Sequence, residues 1–174
     1  MTISLDGVTI GTGIMAGDST NLIPTPLDIY SWNGSAGANG ATLSRDKTTG
    51  LSPAGGVPML MAVTAADPYT ASYGSVQWNL GTAASGQTWV ASAYVKASVS
   101  TQAGFFIFGS SSGGAIIDYA ESLYSVTTSW ALISYTYTFT NASVTNIQLR
   151  MDGPNSGGAG VNIWWDQLQL YRLS

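Results

Sequence analysis

Residues 86–98 read GQTWVASAYVKAS, and their alternation decides the fold. Trp89, Ala91, Ala93 and Val95 share one side, while Ser92, Tyr94 and Lys96 share the other. A period of two is the signature of a half-buried strand.

The same period recurs outward from this stretch. VPMLMAV (57–63) sets Val57, Met59, Met61 and Val63 on one face, with Pro58 suiting an edge or a strand start. SVQWNL (75–80) points Val76, Trp78 and Leu80 inward. AGFFIFG (103–109) is continuously apolar, as a strand covered on both faces would be. SWALISYTYTFT (129–140) alternates Ile133, Tyr135, Tyr137 and Phe139 against Ser134, Thr136 and Thr138. VTNIQLRM (144–151) sets Ile147, Leu149 and Met151 against Gln148 and Arg150. Turn-rich loops separate the runs: NGSAGANG (33–40), TTGLSPAGG (48–56), GSSSGG (109–114) and GPNSGGAG (153–160). No stretch sustains a helical apolar pattern. The expectation is an all-β chain, an antiparallel β-sandwich of jelly-roll type. Residues 21–174 form that domain, and the small, glycine-spaced residues 1–20 are a first strand or an arm reaching a neighbour.

The last stretch, VNIWWDQLQLYRLS (161–174), cannot hold one phase throughout. Val161, Ile163 and Trp165 share one side; Trp164, Asp166, Leu168 and Leu170 share the other. A β-bulge near Asp166 would switch the inward phase. One tryptophan then seals the core and the other faces a ligand or a partner.

Composition narrows the function. Charged residues are 8% of the chain, against a usual share of about 25%, so the surface is cheap to desolvate and suits assembly. The net charge is −4, with only five Lys and Arg, which argues against nucleic acid. No apolar run is long enough to span a membrane, and Asp6 interrupts any signal-peptide core. Without a single Cys or His, the chain lacks thiolate or histidine metal sites and nucleophile–histidine triads.

Carboxylates offer little catalysis. Glu121 is the sole glutamate, three residues after Asp118 in IIDYAESLY (116–124). In an extended strand these side chains fall on opposite faces, which spoils them as a glycosidase pair. Asp46, Asp67 and Asp152 read as turn formers, and GSSSGG as a plain turn without the lysine of a phosphate loop. Trp78 and Trp89 are in phase with aliphatic residues and belong to the core. The aromatics left for contact with a partner or a glycan are Tyr30, Trp32, Tyr69, Tyr73, Tyr119, Tyr124 and Trp164. Rings of this kind stack on the C–H face of a sugar, and they equally anchor protein interfaces.

The order of landmarks carries a resemblance. NLIP opens at Asn21 and Trp32 follows; then come GQTWVASAYVKAS (86–98), TTSWALISYTYT (127–138) and a glycine-rich turn into VNIWWDQLQLY (161–171). Over residues 21–171 this resembles the carbohydrate-binding-module-like jelly rolls of bacteriophage virion proteins. The resemblance, with the start at Met1 read as a complete small protein, implies a non-enzymatic virion component synthesised in the host cytoplasm. Its most specific form is a capsid decoration or cement protein. Such a protein would assemble as a homo-oligomer, a trimer by analogy, and residues 1–20 would contact neighbours or the major capsid protein. The alternative is a carbohydrate-binding module gripping glycans through loop aromatics, and a third reading is a tail or baseplate component. Glycosidase-associated relatives carry paired acids on the last strand that help hold a structural calcium. Here Asp166 stands alone beside Gln167, so no cofactor is expected and Asp166 is the weak calcium candidate.

Overall fold

A computed structural model describes residues 4–5, 8–9, 21, 23, 40–47, 53, 55–64, 72–79, 85–154 and 158–173, with 4–5, 8–9 and 72–79 described in backbone only. Among the described residues every regular element is a strand. β1 (Ser4–Leu5) and β2 (Val8–Thr9) pair with each other as a small separate sheet. β3 (Ala41–Arg45), β4 (Met59–Val63), β6 (Thr88–Ala97), β9 (Ala131–Thr138) and β11 (Asn162–Arg172) form a five-stranded sheet in the order β3-β4-β11-β6-β9. β5 (Ser72–Asn79), β7 (Thr101–Ser110), β8 (Ile116–Val126) and β10 (Asn146–Asp152) form a four-stranded sheet in the order β5-β10-β7-β8. All pairings are antiparallel, and from β4 onward every connection except the β7–β8 hairpin crosses between the sheets, as in a jelly roll.

The alternating residues of the two sheets meet in one core. Met59, Met61, Trp89, Ala91, Ala93, Val95 and Ile163 come from the five-stranded sheet; Phe105, Ile107, Ile147, Leu149 and Met151 come from the four-stranded one. Trp165 lies at the centre, fully buried and tilted against Phe105 with ring centroids 5.8 Å apart. Burying a side chain of this class stabilises the fold by about 1.5–3 kcal/mol, and the sum over the core outweighs the chain entropy of the loops. GSSSGG closes the β7–β8 hairpin: Ser111 N–H donates to Ala115 O and Gly114 N–H to Ser111 O, with Gly114 at φ +84°.

β11 contains the expected bulge. Asp166 pairs with Tyr94 and Gln169 with Ser92, so three steps on β11 oppose two on β6. The extra residue is absorbed at Gln167, whose φ of +50° is left-handed. Ile163 and Trp165 point inward before it, Leu168 and Leu170 after it, and all four are buried. Asn21 pins the irregularity from outside the strand. Its Oδ1 accepts Leu170 N–H (2.9 Å) and Ile23 N–H (3.1 Å), and its Nδ2 donates to Leu168 O (3.4 Å).

One buried acid ties the open side of the sandwich together. Asp118 of β8 points inward; its carboxylate accepts the Tyr137 hydroxyl, Thr140 N–H and Asn141 N–H (2.7 Å each for the last two) and Thr140 Oγ1 (3.3 Å). Burial by itself raises its pKa, but the bonds from Tyr137, Asn141 and Thr140 outweigh this and hold it below the ordinary carboxylate value. The Tyr137 hydroxyl is pushed well up by burial and by the facing Asp118.

Candidate functional site

The outward face of the four-stranded sheet carries a group of aromatic and charged side chains, of which Tyr119 and Glu121 are exposed, Phe106 and Arg150 half-buried and Phe108 and Asp152 buried. Register fixes who neighbours whom, because residues directly opposite on antiparallel strands share a face. Arg150, Phe106 and Glu121 form one row across β10, β7 and β8. Gln148, Phe108 and Tyr119 form the next row on one side, and Asp152, Gly104 and Leu123 the next on the other. Phe105, Ile107 and Leu149 point the opposite way, into the core, so AGFFIFG is covered on both faces only in part. Phe108 is covered, Phe106 is half-buried, and Tyr119 stands 61% exposed, the most exposed large ring described.

The rings are arranged as a step. Phe106 lies 5.6 Å from Tyr119 at 37° and 5.0 Å from Phe108 at 42°. The Arg150 guanidinium covers the far side of this step, 4.5 Å from the Phe106 centroid. It is also held by Asp152 in two bonds, Nε to Oδ1 at 2.7 Å and a terminal nitrogen to Oδ2 at 3.0 Å. Glu121 lies near enough to feel the charge of the same Asp152. Its carboxyl is raised above the usual range by desolvation first, then by the charge and hydrogen bond of Asp152, with Arg150 opposing.

Gly104 is the floor between these acids. A Cβ there would meet the Ser122 carbonyl oxygen at 1.9 Å, because β7 and β8 approach too closely for any side chain. The row Asp152–Gly104–Leu123 is therefore bare in its middle. Asp118 and Glu121, three residues apart, lie on opposite faces of β8 as alternation requires.

Among the described side chains of the aromatics singled out in the sequence, Tyr119 alone lies on this face. Tyr124 lies on the inner side of β8, half-buried against the core, and its hydroxyl donates to Ser134 O of β9. Trp164 is on the outer face of the other sheet: its Nε1 donates to Asp46 Oδ2 (2.7 Å), and Lys96 Nζ sits 5.1 Å from its ring and 5.0 Å from that of Trp130. Asp46 is thus more than a turn former, and Asp152 ends a strand as an ion-pair partner. Tyr30, Trp32 and Tyr69 fall outside the described residues, as do residues 1–20 apart from β1 and β2, and of Tyr73 the backbone alone, within β5, is described.

Asp166 does not fit a calcium site. It is fully buried and its Oδ1 accepts Gln167 N–H at 2.8 Å; among the described residues no three acidic, His or Cys side chains converge. Calcium draws on six to eight oxygens, commonly with several carboxylates, so a lone buried acid is a poor nucleus for it. Phe106 and Arg150 were legible in the sequence only as strand residues, and Glu121 only as a rejected catalytic partner of Asp118. The usable signal was the polar phase of the β10 run, Gln148 and Arg150, set opposite the extra phenylalanines of FFIF.

No protein-family model and no curated protein matches the chain. Its fold does match solved structures. The xylan-binding CBM22-1 domain of Paenibacillus barcinonensis Xyn10C superimposes with a TM-score of 0.58 at 14% identity, covering 78% of this chain and 83% of that one. A CBM4 module matches at 0.54 and 15% identity, covering 94% and 99%. The enzymatically active domain of the bacteriophage CBA120 tailspike protein 4 matches at 0.58 and 10% identity, where 89% of this chain covers 21% of that one. At such identities the likeness is one of fold: a β-sandwich shared with carbohydrate-binding modules.

Proposed function

We propose that this chain is a non-catalytic carbohydrate-binding domain and that it grips a glycan on the outward face of the four-stranded sheet. The observation that carries the reading is the exposed Phe106–Tyr119 step bordered by Arg150, Asp152, Glu121 and Gln148. A ring step stacks on the C–H faces of pyranoses, and the flanking Glu121 carboxylate, Gln148 amide and Arg150 guanidinium supply hydrogen bonds to the hydroxyls. The likeness to xylan-binding and CBM4 modules supports it at the level of fold. On this reading the contact lies on a sheet face whose side chains are fixed by register, rather than on the loops that the sequence suggested.

Binding without cleavage follows from the acids. A glycosidase holds its two carboxyls about 5–10 Å apart, on either side of the scissile bond. Asp152 is buried and held at both oxygens by Arg150, so among the described residues Glu121 has no exposed carboxyl beside it to act as a partner.

Affinity electrophoresis through gels containing xylan, mixed-linkage glucan or mannan tests the reading. Retardation of the wild type, lost in Tyr119→Ala, is the expected result. Equal mobility in every gel would overturn it. The virion location and capsid partners expected from the sequence are a separate matter, to which the tailspike likeness lends a fold only.

A further inference from the structure

The chain has five basic residues, and the fold distributes them unequally. Arg45, Lys96 and Arg172 lie on strands of the five-stranded sheet and Lys47 just beyond β3, which leaves Arg150 as the sole base on the four-stranded sheet. That one cation is spent. Both oxygens of Asp152 hold it and its flat face lies on Phe106. Glu121, exposed on the same face, is the surplus charge, for Asp118 of the same strand points inward and is satisfied by Tyr137, Thr140 and Asn141.

A glycan lying on the ring step therefore meets one carboxylate without a dedicated cation and no cation free to meet an anion. We propose that this face selects glycans by charge, with Glu121 as the determinant: it favours amine-bearing pyranose chains over neutral ones and rejects chains carrying carboxylates. The inference rests on the carbohydrate-binding reading and specifies its ligand class. A sugar ammonium seated beside Glu121 donates to a carboxylate that otherwise crowds Asp152. A uronate at the same place adds a third negative charge to a site with one guanidinium.

Isothermal titration at low salt and mildly acidic pH, where amino sugars are cationic, tests it with three hexasaccharides of one β-1,4 gluco backbone: glucosamine, glucose and glucuronic acid. Affinity is expected to fall in that order, by about two- to fivefold for each sugar charge engaged with the exposed acid. The differences should shrink in high salt, where exposed charges are screened. Glu121→Gln should bring the three affinities together, read as the ratios among the hexamers within the variant, since Gln keeps the size of the side chain and removes its charge. Equal affinities in the wild type, tighter binding of the uronide, or an order that survives in Glu121→Gln would each overturn the charge selection. Binding of none of the three would overturn it too, and retardation in the polysaccharide gels then decides whether the carbohydrate reading stands without it.

Discussion

Tyr119 and Asp118 are sequence neighbours that do opposite work, because one strand turns them to opposite faces. Tyr119, 61% exposed, contributes little to the core, so Tyr119→Ala should leave the melting temperature within a degree or two while removing glycan retardation. Phe106→Ala should cost both binding and stability, since its half-buried ring supports Tyr119, Phe108 and Arg150. Asp118 acts on stability alone. Its folded pKa lies below the unfolded value of 3.8, so its contribution is complete above that value and is lost as pH falls through the folded one. Asp118→Asn should lower stability at neutral pH by about 1–3 kcal/mol and flatten the acid limb of a urea-midpoint series. Glu121 has the opposite sign: its raised carboxyl favours the fold at low pH, and that advantage fades as pH rises from 4.5 through the folded value. The same urea series on Glu121→Gln should lack this decline.

At the scale of elements, β11 shows what a strand needs beyond alternation. Its bulge lets Ile163, Trp165, Leu168 and Leu170 all face inward, and Asn21 supplies the hydrogen bonds that the broken ladder withholds. Asn21→Ala would strand the Leu170 N–H within the core side of the sheet. The expected cost is about 1–3 kcal/mol, read as a lower denaturant midpoint with an unchanged slope. The phase switch was legible because the apolar residues themselves change parity at Asp166; the role of Asn21 was not, since 149 residues separate it from Leu170. β8 was the harder strand. Its inward positions are Asp118, Ala120, Ser122 and Tyr124 before the single aliphatic Val126, because an edge strand can leave its inner side polar or small. That lack of pattern hid the strand that brings Tyr119 and Glu121 to the site. The site rows are a property of register, and register between β7, β8 and β10 is written in no single segment.

At the scale of the molecule, the two sheets carry opposite charge. The four-stranded sheet holds Asp118, Glu121 and Asp152 against Arg150, while Arg45, Lys47, Lys96 and Arg172 outnumber Asp46 and Asp166 on or beside the other. A sandwich polarised in this way presents the proposed glycan face and the Trp130–Lys96–Trp164 face as chemically distinct surfaces, and among the described residues neither sheet takes a strand from residues 1–20, whose β1 and β2 pair with each other. Deleting residues 1–20 should therefore leave the sandwich folded, its melting temperature nearly unchanged and its retardation by glycan intact. Light scattering on both forms separates the two settings considered for this domain. The same number of chains per particle with and without the segment, with glycan binding kept in both, is expected of a binding domain that works by its sheet face. An oligomer that dissociates on truncation would instead make residues 1–20 an assembly arm, as a capsid decoration protein requires, and would leave the aromatic step to serve that assembly.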